Sequence, residues 1–327
     1  MNNLRLFLIL VGATVMLSCG EGVISLDNST YQPKIVIEGT LIPGANAQIK
    51  LRRNFPLETS APPSSVILQN AQAQITDSEG GIFPLQFNAG NNYYESKTIQ
   101  IEHEKTYTLQ VDAVIDGRQL SAKSTTLTPK AGLQILVDQS NLGRKVYRQL
   151  KPNGRLDNFS VTFERSPATD YYVISMTALD ANQETFIYDN AFGDLDTSQV
   201  VEQFDQLRLT WNWLMGQSLS AGQSQIEIYS FMTWFYGRYR VILYGGDKNF
   251  RDFFSTYGQI QELDGNFHEP KFHIEGEGIG LFGSAVIDTA FFEILPHQSR
   301  SPPDKYCLKK LRSKTTSKRV LPQLPDW

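Results

Sequence analysis

Cysteine is almost absent: 327 residues contain only Cys19 and Cys307. No disulfide framework and no cysteine-based zinc site can organise such a chain, so its stability must come from buried apolar surface. Histidine is scarce too, with His103, His268, His273 and His297 as the full set. A metalloprotease helix needs two histidines four apart around a glutamate, but Pro270 follows His268-Glu269 and the next histidine is His273, so the pattern fails and proline would break the helix. The nucleophile elbow Gly-x-Ser-x-Gly is missing as well. Its nearest approach, Gly216-Gln217-Ser218-Leu219-Ser220, lies in a Ser/Gly/Gln-rich stretch over residues 216–225 that reads as a loop. With 34 acids in the chain, no glycosidase carboxylate pair can be singled out. These gaps point away from an enzyme and from any cofactor.

Long apolar runs are also lacking, apart from residues 6–17 behind Arg5. About a dozen apolar residues is too short for a bilayer, which takes roughly 20, and has the length of a signal-peptide core. The run ends in Met16-Leu17-Ser18-Cys19, which resembles the lipobox of bacterial lipoproteins, where the cysteine is acylated and becomes the new N-terminus. Residues 1–18 are therefore expected to be a cleaved signal peptide, Cys19 the lipidation site, and residues 19–33 a spacer. Two or three acyl chains, each methylene adding about 0.8 kcal/mol, hold a protein firmly at a membrane. The expected location is the outer membrane, attached by lipid.

The mature chain of 309 residues has room for two domains. Its net charge of −4 hides an asymmetry: residues 300–327 carry eight Lys or Arg against two Asp, which leaves −10 for residues 1–299. An acidic body excludes nucleic acid as partner. The basic segment 297–327, poor in large apolar groups, reads as a disordered tail, with Cys307 an exposed thiol.

Between these ends the pattern is mainly β. Residues 34–41 (KIVIEGTL), 47–52 (AQIKLR), 71–76 (AQAQIT) and 106–111 (TYTLQV) are β-branched or alternate apolar with polar, as half-buried strands do. Turn residues at 78–81 and Asp116-Gly117 punctuate them. About seven strands fit between residues 34 and 128, which predicts an immunoglobulin-like β-sandwich over 34–129 with residues 61–65 as a rim loop. Residues 129–132 (PKAG) read as a boundary. A second β-rich domain with one or few helices is expected over 130–296, from aromatic-rich strands at 171–178, 207–213 and 226–234. Its clear helix is 247–257, where Phe250, Phe253, Phe254 and Tyr257 recur at helical spacing before Gly258. That stripe reads as core, and Trp211, Trp213, Trp234 and Tyr236 likewise read as core before sugar-stacking platforms. No repeat of fixed period is visible. Asp194, Asp196, Ser198, Glu202 and Asp205 have the rhythm of a calcium loop, but Gln199 occupies the place of its glycine, so an ordinary acidic loop is expected.

The segment Gly265-Asn266-Phe267-His268-Glu269-Pro270, with residues 274–283 (IEGEGIGLFG) behind it, resembles the C-terminal signature of a Bacteroidota lipoprotein family called domain of unknown function 4249. Val36-Ile37-Glu38-Gly39, shortly after Cys19-Gly20-Glu21, resembles that family's front end. The resemblance covers about residues 19–295. It brings no catalytic residues, and implies a companion of a TonB-dependent outer-membrane transporter. Glu277 departs from the pattern, standing where glycine is expected. With only Glu21 as a nearby acid, the resemblance does not choose between the surface and periplasmic sides. Gly276, Gly278, Gly280, Phe282 and Gly283 are the candidate binding residues, because glycines turn tightly or let another backbone approach; the bland alternative is a loop between strands. No Lys-Ser/Thr follows, so the run is not a phosphate loop. The rival readings are an extracellular polymer-degrading enzyme and a purely structural surface lipoprotein.

If Cys19 is the only anchor, Cys19→Ala should move the protein from the membrane to the soluble fraction and abolish uptake of a tagged fatty acid. A mutant that still sediments with membranes, without a partner, contradicts the lipoprotein reading.

Overall fold

The computed structural model describes residues 31–56, 59, 62–188, 197–215, 222–257 and 270–296. The signal sequence, Cys19, Asp194, Asp196, Gly258, His268 and the basic tail lie outside them, and so do the expectations placed on those residues. No helix among the described residues is long and apolar enough to cross a membrane.

Seven strands form before residue 129, as the alternation predicts: β1 (Ile35–Leu41), β2 (Asn46–Arg53), β3 (Gln72–Asp77), β4 (Ile82–Asn88), β5 (Tyr93–Gln100), β6 (Thr106–Ile115) and β7 (Arg118–Leu127). The strands hydrogen-bond in the order β1-β2-β5-β4-β3-β6-β7, folded over so that β1 and β2 face β3 and β6 across one core, as in an immunoglobulin-like sandwich whose two layers are joined by the β4–β5 pair. Alternate residues fill the space between, among them Ile37, Ile49, Leu51, Ile75, Leu109 and Val111. The β6–β7 turn is closed by Asp116 and Gly117, at φ 52 and 75, the left-handed pair that suits a two-residue hairpin. The rim segment expected as loop contains one short helix, α1 (Pro63–Val66). Tyr107, at the start of β6, accepts a hydrogen bond from the Glu102 N–H at 2.9 Å. A tyrosine reaching back a few residues at this corner is a hallmark of the fold.

A second sandwich follows. β8 (Gln134–Ile135), β10 (Phe159–Glu164) and β13 (Gln223–Ile228) make one layer; β12 (Leu209–Met215), β11 (Tyr171–Ala178), β14 (Gly237–Gly246) and β16 (Gly278–Leu295) make the other, with β9 (Gly143–Val146) parallel to β16. Val161, Phe163, Ile226 and Ile228 meet Ile174, Met176, Val241, Leu243 and Phe292 in its core. The strand order repeats that of the first sandwich, with the same corner: the Tyr239 hydroxyl, early in β14, donates to the Phe235 carbonyl at 2.9 Å and accepts from its N–H at 3.0 Å. Helices α2 (Thr197–Glu202) and α3 (Phe204–Arg208) precede β12. Helix α4 (Lys248–Tyr257) packs outside the larger layer, Phe250 against Tyr244 and Phe254 against Trp211, so its aromatic stripe is core as expected, while Tyr257 is exposed.

The two units are not simply in series. β16 is 18 residues long, and only its second half belongs to the second sandwich, paired with β14. Its first half runs parallel to β1, from Ile35↔Gly278 to Leu41↔Ser284, while β15 (Glu275–Gly276) pairs with β7. The C-terminal segment thus fills the seam between β7 and β1, and Phe282 sits in the first core. The loop expected over residues 276–283 is corrected accordingly: it is strand. The backbone that the glycines allow to approach is the chain's own. A Cβ on Gly280 (φ +108) would strike the Ile37 carbonyl, and one on Gly276 (φ +82) the Ser121 carbonyl, so both demand glycine on two counts. Glu277 has a local role, accepting the Ser121 N–H at 3.1 Å while its own N–H donates to the Ser121 carbonyl.

Gly280→Val should therefore cost about 2–4 kcal/mol of folding stability, read as a lower urea midpoint. A wild-type midpoint would show that the close approach of β16 to β1 does not exist.

Candidate functional site

An open groove of about 760 Å³ lies where the two sandwiches meet. It lies between the end of β7 with its exit (Thr125 to Lys130), the turn between β10 and β11 (Pro167 to Asp170) and the start of α4 (Asp247, Lys248, Arg251).

Its floor is a buried polar knot. Asp247 precedes α4 as N-cap, its Oδ1 accepting the Phe250 N–H at 2.9 Å, which satisfies a helix donor that would otherwise be orphaned. The same oxygen accepts the Ser284 N–H at 3.1 Å, and Oδ2 accepts the Thr126 hydroxyl at 2.6 Å. The Asp247 N–H returns to the Ser284 carbonyl at 2.9 Å. Asn249 donates from Nδ2 to the carbonyls of Thr125 (2.8 Å) and Phe282 (2.9 Å). One helix start is thereby bonded to β7 of the first sandwich and to β16 at the point where it passes between the two. Burial pushes the Asp247 carboxyl above the ordinary carboxylate range, against the hydrogen bonds from Thr126, Phe250, Ser284 and Asn249 that favour its ionised form.

The walls carry charge in pairs. Lys130 meets Glu104 at 3.1 Å, and Arg251 spans Asp252 (3.0 Å) and Asp170 (3.4 Å). Behind Arg251, His273 Nε2 lies 2.8 Å from Asp252 Oδ2; its partners hold the Asp252 carboxyl low despite the desolvation it suffers. The Ser284 hydroxyl donates to the Leu127 carbonyl at 3.0 Å and the Thr126 hydroxyl to Asp247, so both protons are committed within the knot. Among the described residues, no three His, Cys, Asp or Glu side chains gather to hold a metal.

The candidate binding residues fall beside this site. Gly283 lies against Asp247 and the Phe250 backbone under the groove; Gly276, Gly278, Gly280 and Phe282 lie along the seam. Sequence reasoning missed Asp247, Asn249, Thr126 and Ser284. Only the aspartate directly ahead of the aromatic helix carried a signal, as an N-cap residue.

Two successive sandwiches of the same strand order, each with its tyrosine corner, define a mainly β protein of the immunoglobulin-like class. More particularly, residues 22–290 match the family described as "Domain of unknown function (DUF4249)", and the chain belongs to that family. No curated protein matches it. Among solved structures it is similar to a two-domain fibronectin type-III segment of chicken tenascin (10% identity over 65% of this chain and 90% of that one, TM-score 0.18). Trypsin-activated alpha-2-macroglobulin from Escherichia coli is also similar (11%, 82% and 16%, TM-score 0.21), as is a DUF4785 family protein of Legionella pneumophila (11%, 64% and 55%, TM-score 0.23). Superpositions this loose carry no argument; the fold stands on strand order and corners.

Asp247→Ala should cost about 2–3 kcal/mol, through a lost cap and orphaned buried donors; Asp247→Asn, which keeps the acceptor, should cost less. The sign with pH follows from the raised carboxyl. Its contribution to stability is full below the ordinary carboxylate range and is lost as the pH climbs through the raised value. Urea midpoints should therefore shift in favour of Asp247→Asn over wild type as pH rises across that window. A pH-independent difference would contradict the burial of the charge.

Proposed function

We propose that this protein is a non-catalytic accessory of the outer membrane, anchored through lipid on Cys19, that serves a TonB-dependent transporter by binding the transporter or its ligand. The observation that carries the reading is the groove between the sandwiches. Its walls are loops on a scaffold fixed by one shared strand and a buried polar knot, and loops so held are where binding residues usually sit. At its walls Lys130 is paired with Glu104, and Arg251 with Asp170 and Asp252. The lipobox-like residues 16–19 supply the anchor, and the family resemblance supplies the class of partner. Recognition is assigned to Lys130, Asp170, Lys248 and Arg251 at the groove, in place of the glycines of the seam.

Affinity purification from gently solubilised outer membranes, with a tag placed after Leu295, should recover a transporter in near-equal amount. Lys130→Glu combined with Arg251→Gln should lower that recovery several-fold while leaving most of the folding stability, since the exposed Lys130–Glu104 pair contributes only about 0–1 kcal/mol and the neutral Gln adds no repulsion beside Asp170 and Asp252. Recovery of the protein alone, with hydrolysis of a glycan or peptide, would move the reading to the enzyme class. Recovery alone without hydrolysis would favour a structural surface lipoprotein. Proteolysis of intact cells assigns the leaflet.

A further inference from the structure

Two routes lead from β1 into the second sandwich. The covalent one runs through every other strand of the first sandwich before it reaches β8 at Gln134. The second is a single step across hydrogen bonds: β1 lies beside the first half of β16, and the second half of that unbroken strand is held by β14 and β9. A pull between the chain preceding β1 and the second sandwich therefore meets the β1–β16 pair first.

The direction of such a pull decides how the pair responds. The strands are parallel and in register over seven residue pairs, from Ile35↔Gly278 to Leu41↔Ser284. β1 is drawn out from its Ile35 end while β16 is held from its Leu295 end, so the two are driven past each other along their length. Hydrogen bonds between strands lie across the strand direction. A lengthwise load is therefore shared by the whole set at once, whereas a load that parts the strands sideways falls on the end pair alone.

Both ends of the overlap are pinned against fraying. At its start the Ile35 N–H donates to the Glu277 carbonyl at 2.9 Å, and Glu277 is bonded in turn to Ser121 of β7, donating its N–H at 2.8 Å and accepting the Ser121 N–H at 3.1 Å. At its end Ser284 enters the buried knot, its N–H donating to Asp247 at 3.1 Å. Between these points Ile35, Ile37, Leu41 and Phe282 are buried, which keeps water from competing for the strand bonds. Gly280 brings β16 against the Ile37 carbonyl, closer than a side chain would permit. We infer that the β1–β16 pair is a shear clamp, a device that lets the molecule bear tension between its N-terminal linker and its second sandwich without opening either unit. With lipid on Cys19 as the anchor, a partner's pull on the second sandwich would reach the membrane by this route. The clamp itself stands independently of that anchor and of the transporter reading.

Single-molecule pulling of the mature chain tests this, with Cys19→Ala and Cys307→Ala removing the native thiols and handles attached through introduced cysteines. Handles at Gln32→Cys and Pro296→Cys load the pair in shear. Handles at Gln32→Cys and Arg118→Cys part β1 from β7 at the end where Tyr31 meets Asp116, and so peel the seam from its first pair. At one loading rate the first geometry should need a several-fold higher rupture force than the second; equal forces would overturn the inference. Gly280→Ala should roughly halve the shear force, whereas Leu109→Ala, in the first core but outside the loaded pair, should lower the urea midpoint at least as far and the shear force much less. A shear force that falls in proportion to the urea midpoint in both variants would show that overall stability, and no clamp, resists the pull. Should Gly280→Ala fail to fold, the comparison of the two pulling geometries still decides.

Discussion

The parallel pairing of β16 with β1 is the constraint on which the rest of the molecule depends. It places the last strand of the second sandwich inside the first, so that neither unit completes its hydrogen bonding without the other. A seam between β7 and β1 would otherwise leave two unpaired strand edges, a liability that natural sheets cover or pair. Here residues 275–284 cover it, with Gly276 and Gly280 admitting backbone where a side chain would collide.

From that pairing the site follows. Because β16 must pass from one sandwich to the other, the helix inserted ahead of it is drawn to the junction, and its N-cap aspartate finds donors from both units. The knot of Asp247, Asn249, Thr126 and Ser284 is costly to bury and is therefore fully bonded. The groove above it owes its fixed shape to that bonding. The same long strand sets the polarity of the molecule, with Ile35 of β1 beside one end and Val146 of β9 beside the other.

Much of the first sandwich was legible in the sequence. Four β-branched or alternating segments, the spacing of the turns and Asp116-Gly117 sufficed, because period two reports directly which face is buried. The aromatic strand at 171–178 and the helix beginning after Asp247 were legible for the same kind of reason. The repetition of the sandwich was not. Insertions between β11 and β12 and between β14 and β16 destroy any fixed spacing, and only two short likenesses survive, Thr106-Tyr107-Thr108-Leu109 and Arg238-Tyr239-Arg240-Val241. The glycine run at 276–283 reads in the sequence as a binding segment or a loop between strands, because glycines turn tightly or let another backbone approach. What makes the run strand is the crowding of three strands at the seam, where the approaching backbone is the chain's own, a long-range fact that local sequence does not contain. The knot was hidden likewise, since its four residues come from three separate stretches of chain.

Native-state hydrogen exchange on the intact protein tests the central claim most directly. If β16 makes the two sandwiches one cooperative unit, the slowest amides of β1 and of β14 should open with the same free energy and the same dependence on denaturant. Opening of the β1 amides at lower free energy, while β14 and the second half of β16 stay protected, would show two independent domains and contradict the account.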